Sequence, residues 1–331
     1  MSSVRLTIAE AEDMVAAALE RSGTSAVNAR SVAAALVAAE ADGLKGHGLS
    51  RVPTYAAQAR VGKVDGRAIP TAATPRPGLV AIDAAHGFAY PALALAEERL
   101  PDVTRRQGIA AAAIRRSHHC GAAGHPVERL AGAGLVSLLF ANAPAAIAPA
   151  GGAPALFGTN PIAFARPVEG RPPIVIDLSL SKVARGNVLA AKQRGEPIPE
   201  GWALDAAGRP TTDPVAALAG TMVPLGDAKG TVLALMVELL AAGLTDARYA
   251  SEASSFLDAE GAPPGTGQLV IAIDPDAFGG NASTRFALLA EMIEAEPGSR
   301  LPGSRRLALR AAARKDGLTV GEGLVREIKA I

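Results

Sequence analysis

The chain has 331 residues, 49% of them hydrophobic and 20% charged, with 33 basic against 32 acidic side chains and a formal net charge of +1. That length buries a sizeable core and allows two domains or one large one. The charge balance, with arginine pairs at 105–106, 115–116 and 305–306 too short and scattered to form a basic stripe, excludes a dedicated nucleic-acid binder.

Thr7 with Glu10 three residues later is a capping box that opens a helix ending near Gly23, and an alanine-rich helix follows over 26–42. The segment Gly43-Leu44-Lys45-Gly46-His47-Gly48-Leu49-Ser50-Arg51-Val52-Pro53 leads into a third helix, with the proline in its first turn and its end at Gly62. Strand-like and helix-like stretches then alternate: a strand at 79–82, a helix over 89–106 and a strand at 109–115. The tract 130–160 has few charges, but Pro144, Pro149 and Pro154 break any lipid-exposed helix, so it reads as one buried strand at 135–141 and an irregular apolar loop. Further on come a strand at 174–177, an apolar helix over 229–243, a strand at 268–273 and a helix over 284–295. The Pro- and Gly-rich stretches 197–214 and 261–267 read as surface excursions. The fold class is α/β (α+β) with mixed sheets. The chain starts on an acidic helix rather than an apolar signal core, and its one cysteine, Cys120, suits a reducing compartment. The expectation is a cytoplasmic protein that does not enter a membrane.

Chemistry concentrates in Arg116-Ser117-His118-His119-Cys120-Gly121-Ala122-Ala123-Gly124-His125, which holds three of the five histidines just after an apolar run. Ionisable groups at a strand end, followed by glycine-punctuated backbone, are a common way to build an active site. Three adjacent side chains do not converge on one tetrahedral ion, so acid/base work is preferred to metal binding and no metal is expected. His47 and Arg51 form a second pair, four apart and on one face if the segment is helical, suited to proton transfer and to a bidentate carboxylate clamp. The turn Gly158-Thr159-Asn160-Pro161 and the helix start Pro224-Leu225-Gly226-Asp227-Ala228-Lys229-Gly230 could each hold a phosphate. Each of these features also has a plain structural reading as a turn or a cap. Neither G-x-G-x-x-G after a strand nor G-x-x-x-x-G-K-[ST] occurs, so a dinucleotide would not use the ordinary Rossmann turn.

In their order along the chain, His47-Gly48…Arg51, Ser117-His118-His119-Cys120-Gly121, Gly158-Thr159-Asn160-Pro161, Asp177, Gly201-Trp202-Ala203…Asp205, Lys229-Gly230 and Leu301-Pro302-Gly303 resemble the type II malate/L-lactate dehydrogenase family. That family includes ureidoglycolate and sulfolactate dehydrogenases and the Δ1-piperideine/Δ1-pyrroline-2-carboxylate reductases. The resemblance implies an oxidoreductase that uses NAD or NADP in a non-Rossmann domain over 116–284. Segments 1–115 and 285–331 would form a substrate and dimerisation domain of a homodimer. It further implies that His47, Arg51 and His119 line the substrate site, and that Ser117, Thr159, Asn160, Asp177 and Lys229 lie near the cofactor. Two positions depart from the family: Gly46 stands where many relatives have serine, and Asp227-Ala228 replaces Gly-His ahead of Lys229-Gly230. The implied reaction delivers hydride to the 2-carbon of a small 2-oxo or cyclic 2-imino acid, with Arg51 on the carboxylate and His119 or His47 handling the proton. The missing serine tilts the reading towards a cyclic ketimine, with a 2-hydroxy acid dehydrogenase as the alternative. A non-catalytic binding protein on this fold is the reading from another class.

Overall fold

The structure is a computed structural model that describes residues 2–331. In chain order its main elements are β1 (Ser3–Leu6), α1 (Ile8–Arg21), α2 (Ala26–Ala41), α3 (Val52–Arg60), β2 (Thr71–Arg76), β3 (Leu79–Asp83), α4 (Ala89–Gln107), β4 (Ile109–Ser117), α5 (Gly124–Gly132), β5 (Val136–Ala141), β6 (Ile162–Val168) and β7 (Arg171–Leu178). There follow α6 (Arg185–Arg194), β8 (Ala203–Leu204), β9 (Pro210–Thr211), α7 (Pro214–Ala219), β10 (Thr221–Met222), α8 (Ala228–Glu238), β11 (Thr266–Ile273), α9 (Ala282–Ala295), α10 (Ser304–Asp316), β12 (Leu318–Gly321) and α11 (Glu322–Ala330). The Thr7–Glu10 capping box is present, with the Thr7 hydroxyl accepting from the Glu10 amide and the Glu10 carboxylate accepting from the Thr7 amide.

Seven strands form a mixed sheet in the order β2-β3-β4-β11-β5-β6-β7, parallel only between β3 and β4. α4 and α5 cover one face, where Leu93, Leu100, Val127 and Leu130 pack on Ile82, Ile114, Leu139 and Val270. α8 covers the other with Ala234 and Val237, and its end unwinds into a π-turn, Leu239–Gly243, whose Ala241 joins Phe140 and Leu269. A separate core unites the two ends of the chain. Leu19, Leu36, Val37, Leu49 and Tyr55 meet Leu318, Val325 and Ile328, and β1 pairs antiparallel with β12. Phe88 and Tyr90, at the start of α4, belong to this terminal core although the rest of α4 packs on the sheet. Strands β2, β3 and most of β4, all ahead of residue 116, lie in the same sheet as the strands of the middle segment.

Two stretches differ from the sequence expectation. The 197–214 excursion carries β8 and β9, which with β10 form a small sheet over Ile147, Val188, Ile198 and Met222. The apolar helix over 229–243 is not one α-helix, because it changes to π-geometry at Leu239. Among the described residues, no helix is long and apolar enough to cross a membrane.

Candidate active site

His47 and Arg51 do not sit on a regular helix. α2 stops at Ala41, and the chain then makes two short 3-10 turns, Lys45–His47 and Leu49–Arg51, before α3 begins. Gly48, between the turns, is obligatory by close approach. A Cβ there would lie 2.3 Å from Oε2 of Glu40, the oxygen that accepts the Leu49 amide at 3.1 Å. The Arg51 Nε–H donates to the Gly46 carbonyl at 2.7 Å, which fixes the guanidinium plane and leaves its Nη groups as the donors for a ligand.

The histidine loop is aimed by an irregularity at the end of β4. Opposite β11 the register runs Ile114 to Gln268 but Ser117 to Thr266, so β4 carries one extra residue, and Arg116 takes a left-handed φ of 50° while pairing bidentately with Asp83. Bulges of this kind redirect side chains at sheet ends. Two β11 side chains, Thr266 through Oγ1 (3.3 Å) and Gln268 through Nε2 (3.2 Å), donate to the His118 carbonyl and hold the redirected backbone. Gly121, at φ 70°, allows the return: a Cβ there would sit 2.7 Å from the Tyr90 hydroxyl.

The outcome is a compact ring cluster. His119 stacks on His47 with ring centroids 5.2 Å apart, and its Nδ1 shares a 2.6 Å hydrogen bond with the Tyr55 hydroxyl. Tyr55 in turn lies 3.3 Å from the Tyr90 hydroxyl. Tyr55 was not singled out in the sequence, although it lies one helical turn beyond Arg51, and that spacing was the available signal. Phe256, from a loop far along the chain, packs on His118 and His119 at 5.1 and 5.2 Å.

Burial dominates the electrostatics. His119 is held well below the usual histidine range by burial first and then by Arg51, His47 and His118. His47 is pushed down to about 4 by burial, Arg51 and His125, and His118 to about 3 by burial, Lys63 and Arg51. Burial lifts the Tyr55 hydroxyl to about 12 and the Cys120 thiol to about 12, so Cys120 is a core side chain and not a thiolate nucleophile. The site therefore presents neutral imidazoles beside one guanidinium. An anion set against Arg51 would offset that charge and make His119 a better proton acceptor. His118 is fully buried with both ring nitrogens unpartnered, which fits a packing role between Tyr55, Phe88 and Phe256. His125 has a different setting: its Nε2 meets Asp42 at 2.8 Å, within a buried network in which Arg306 and Arg310 also bind Asp42 and Glu128. Burial alone would raise the Asp42 carboxyl, but hydrogen bonds from Arg310 and His125 outweigh it and hold it low.

The residues expected near a cofactor fall into two places. The Thr159 turn is tied to the segment ahead of α8 by two backbone bonds, Leu180 N–H to the Thr159 carbonyl and Leu225 N–H to the Leu180 carbonyl, both at 2.8 Å. Lys229 stands exposed in the first turn of α8. An exposed ammonium at a helix N-terminus is a donor that fits a phosphate group. Asn160 is committed to its own chain: its Nδ2 donates to the Ala234 carbonyl and to Glu238, and its Oδ1 accepts the Ala143 amide. Asp177 caps α5 by accepting the Gly124 amide at 2.8 Å, directly after the histidine loop, and Ser117 ends β4 with a buried, unpartnered hydroxyl. Glu238 was not anticipated. Its carboxylate accepts from the Gly158 and Ala250 amides and from the Asn160 and Asn142 side chains. A lone acid in the apolar run of α8 was the sequence signal for it.

Comparison with known proteins bears on this arrangement. The family model described as malate/L-lactate dehydrogenase matches residues 6–329. A (2R)-3-sulfolactate dehydrogenase (NADP(+)) of Chromohalobacter salexigens is 54% identical over 328 residues, covering 98% of this chain and 97% of that protein. A Δ1-pyrroline-2-carboxylate/Δ1-piperideine-2-carboxylate reductase of Pseudomonas putida is 41% identical, covering 99% and 97%. The crystal structure of Δ1-piperideine-2-carboxylate reductase from Pseudomonas syringae pv. tomato superposes with a TM-score of 0.93 at 37% identity over 99% of both chains.

Proposed function

The chain belongs to the malate/L-lactate dehydrogenase family of oxidoreductases, and from that premise we propose that it is an NADP-dependent dehydrogenase of a small 2-hydroxy acid of the 3-sulfolactate type, interconverting it with the 2-oxo acid. The observation that carries this reading is the 2.6 Å pair between the Tyr55 hydroxyl and His119 Nδ1. A ketone oxygen needs a proton as hydride arrives, and an imidazole fixed through Nδ1 leaves Nε2 to give that proton or take it back. The argument for a ketimine from Gly46 weakens once Tyr55 supplies the partner that the absent serine would have provided. The nearly full-length sulfolactate dehydrogenase relative at 54% identity supports the same choice.

Arg51 holds the substrate carboxylate with its free Nη donors and fixes which face is presented. His47, stacked on His119 and neutral, completes the wall behind the reacting carbon. Thr159 and Lys229 hold the cofactor, with Ser117 and Asp177 bordering it through β4 and the start of α5, and Asn160 and Glu238 keeping the 158–160 turn in shape. When bound, the nicotinamide cofactor takes or supplies the hydride.

Cyclic ketimine reduction is the second reading, favoured by the reductase relatives at about 40% identity. The test is one panel: NADPH and NADH oxidation with sulfopyruvate, pyruvate, oxaloacetate, Δ1-pyrroline-2-carboxylate and Δ1-piperideine-2-carboxylate. Sulfopyruvate with NADPH is expected to give the highest kcat/KM; a cyclic imine exceeding it by tenfold would overturn the choice. The reading includes a homodimer in a reducing cytoplasm. Val232, Leu235, Met236 and Leu239 are exposed on one stripe of α8 and its π-turn, an apolar face of the kind that a second copy covers. Light scattering that gives a monomer mass would remove the dimer.

A further inference from the structure

We propose that Lys63 is a positioning residue: through Asp258 it docks the loop that carries Phe256 against the catalytic histidine, and so controls the apolar wall of the substrate site. Residues 254–262 contain no helix or strand, and among the described residues no backbone-to-backbone hydrogen bond joins them to another element. Their attachments to the terminal core converge on one residue. The Lys63 ammonium donates to the Asp258 carboxylate at 3.0 Å and to its carbonyl at 3.1 Å, and the Gln58 amide donates to the same carbonyl at 2.7 Å. Two residues earlier, Phe256 is 7% exposed and packs with its ring tilted by 53° and 51° against His118 and His119.

The chemistry of the latch is unusual for a surface loop. The Lys63 side chain is fully buried while that of Asp258 is 46% exposed, so the pair is a buried cation satisfied by an anion at the rim. An ammonium in that position needs its partner, and removing the partner draws water in and the loop off. A force on the loop works against docking as well: with Phe256 in place, both His118 nitrogens are buried without partners, a penalty relieved as soon as the loop lifts and water enters. The wall is thus held by one latch against one built-in cost, and a small change at Lys63 or Asp258 shifts a two-state balance.

The inference rests on the catalytic reading of His119, so its test has one arm that does not use turnover. Hydrogen–deuterium exchange of residues 254–262 is compared in the wild type, Asp258→Ala, Asp258→Glu and Lys63→Met; faster exchange confined to this loop is expected in the alanine and methionine variants, and near-wild-type exchange in the glutamate variant. Steady-state kinetics at saturating cofactor, with the organic acid that the wild type turns over best, form the second arm. If the docked fraction falls to about a tenth, KM rises about tenfold while kcat stays within about twofold, because bound substrate re-docks the loop. Unchanged exchange in both variants overturns the latch whatever the enzyme's substrate. Raised exchange with unchanged KM, or a fall in kcat of the same size as the rise in KM, overturns the control of the site. Lys63→Met removes the buried charge itself, so it remains informative if Asp258→Ala does not fold.

Discussion

Replacing His118 by phenylalanine should remove a defined part of the protein's acid sensitivity. His118 is 1% exposed, has no hydrogen-bond partner on either nitrogen, and is held at about 3 in the folded state against 6.5 for a free histidine. Its pKa is depressed by folding, so between those values the unfolded chain binds a proton that the native state refuses. Stability from this residue is therefore intact above pH 6.5 and declines as the pH falls below it. Going from pH 7 to pH 5, the two-state linkage expression gives a loss of about 2 kcal/mol from His118 alone, taking 1.36 kcal/mol per pKa unit. His47, at about 4, adds a loss of similar size, and buried carboxyls lifted by burial, such as Glu40 and Glu238, act in the opposite direction. Those contributions are common to wild type and variant and cancel in the difference. Phenylalanine fits among Tyr55, Phe88 and Phe256 without a polar edge. The assay is urea unfolding at pH 7 and pH 5, followed by circular dichroism. The wild type should lose about 2 kcal/mol more than His118→Phe over that step. Equal losses in the two proteins would show that His118 is not a buried neutral imidazole.

His119→Ala should lower kcat by about 10²-fold or more, the usual cost of losing a general acid, and single-turnover kinetics near wild type would remove His119 from that role. Tyr55→Phe, which deletes the 2.6 Å bond to Nδ1 together with the longer 3.3 Å contact to the Tyr90 hydroxyl, should lower kcat by about tenfold with a smaller change in KM; a change confined to KM would count against an orienting tyrosine. Glu238→Gln should destabilise the fold by about 2–4 kcal/mol, because an amide NH2 group then faces donors that the carboxylate now satisfies, and thermal unfolding measures it.

The legible part of the chain was local. The Thr7 capping box, the Ala-rich α2 and the strands around 109–115 and 268–273 follow from spacing and residue type over a dozen residues, and the structure has each of them. The resemblance brought His47, Arg51 and His119 together, and the stacked rings place His47 against His119. What stayed hidden depends on distant contacts. Phe256 reaches His119 across more than a hundred residues, the His47–Arg51 segment is two 3-10 turns because Gly48 must clear Glu40, and Asn160 turns inward because Glu238 waits there. None of these shows in periodicity, since each is a decision made by a partner elsewhere.

The pairing of β1 with β12 has a consequence for how the molecule comes into being. Helices α1 to α3 are made well before β12 and α11, yet Leu19, Leu36 and Tyr55 find Leu318, Val325 and Ile328 only when that strand and helix have been made. At about 20 residues per second or slower, the wait between the two strands is about 15 s or longer. During that interval the sheet between β2 and β11 can assemble on its own, while the half-core that carries His47 and Arg51 keeps its apolar side open to water or to a chaperone. On the proposed roles of His47 and Arg51, catalytic competence waits until β12 and α11 close that core.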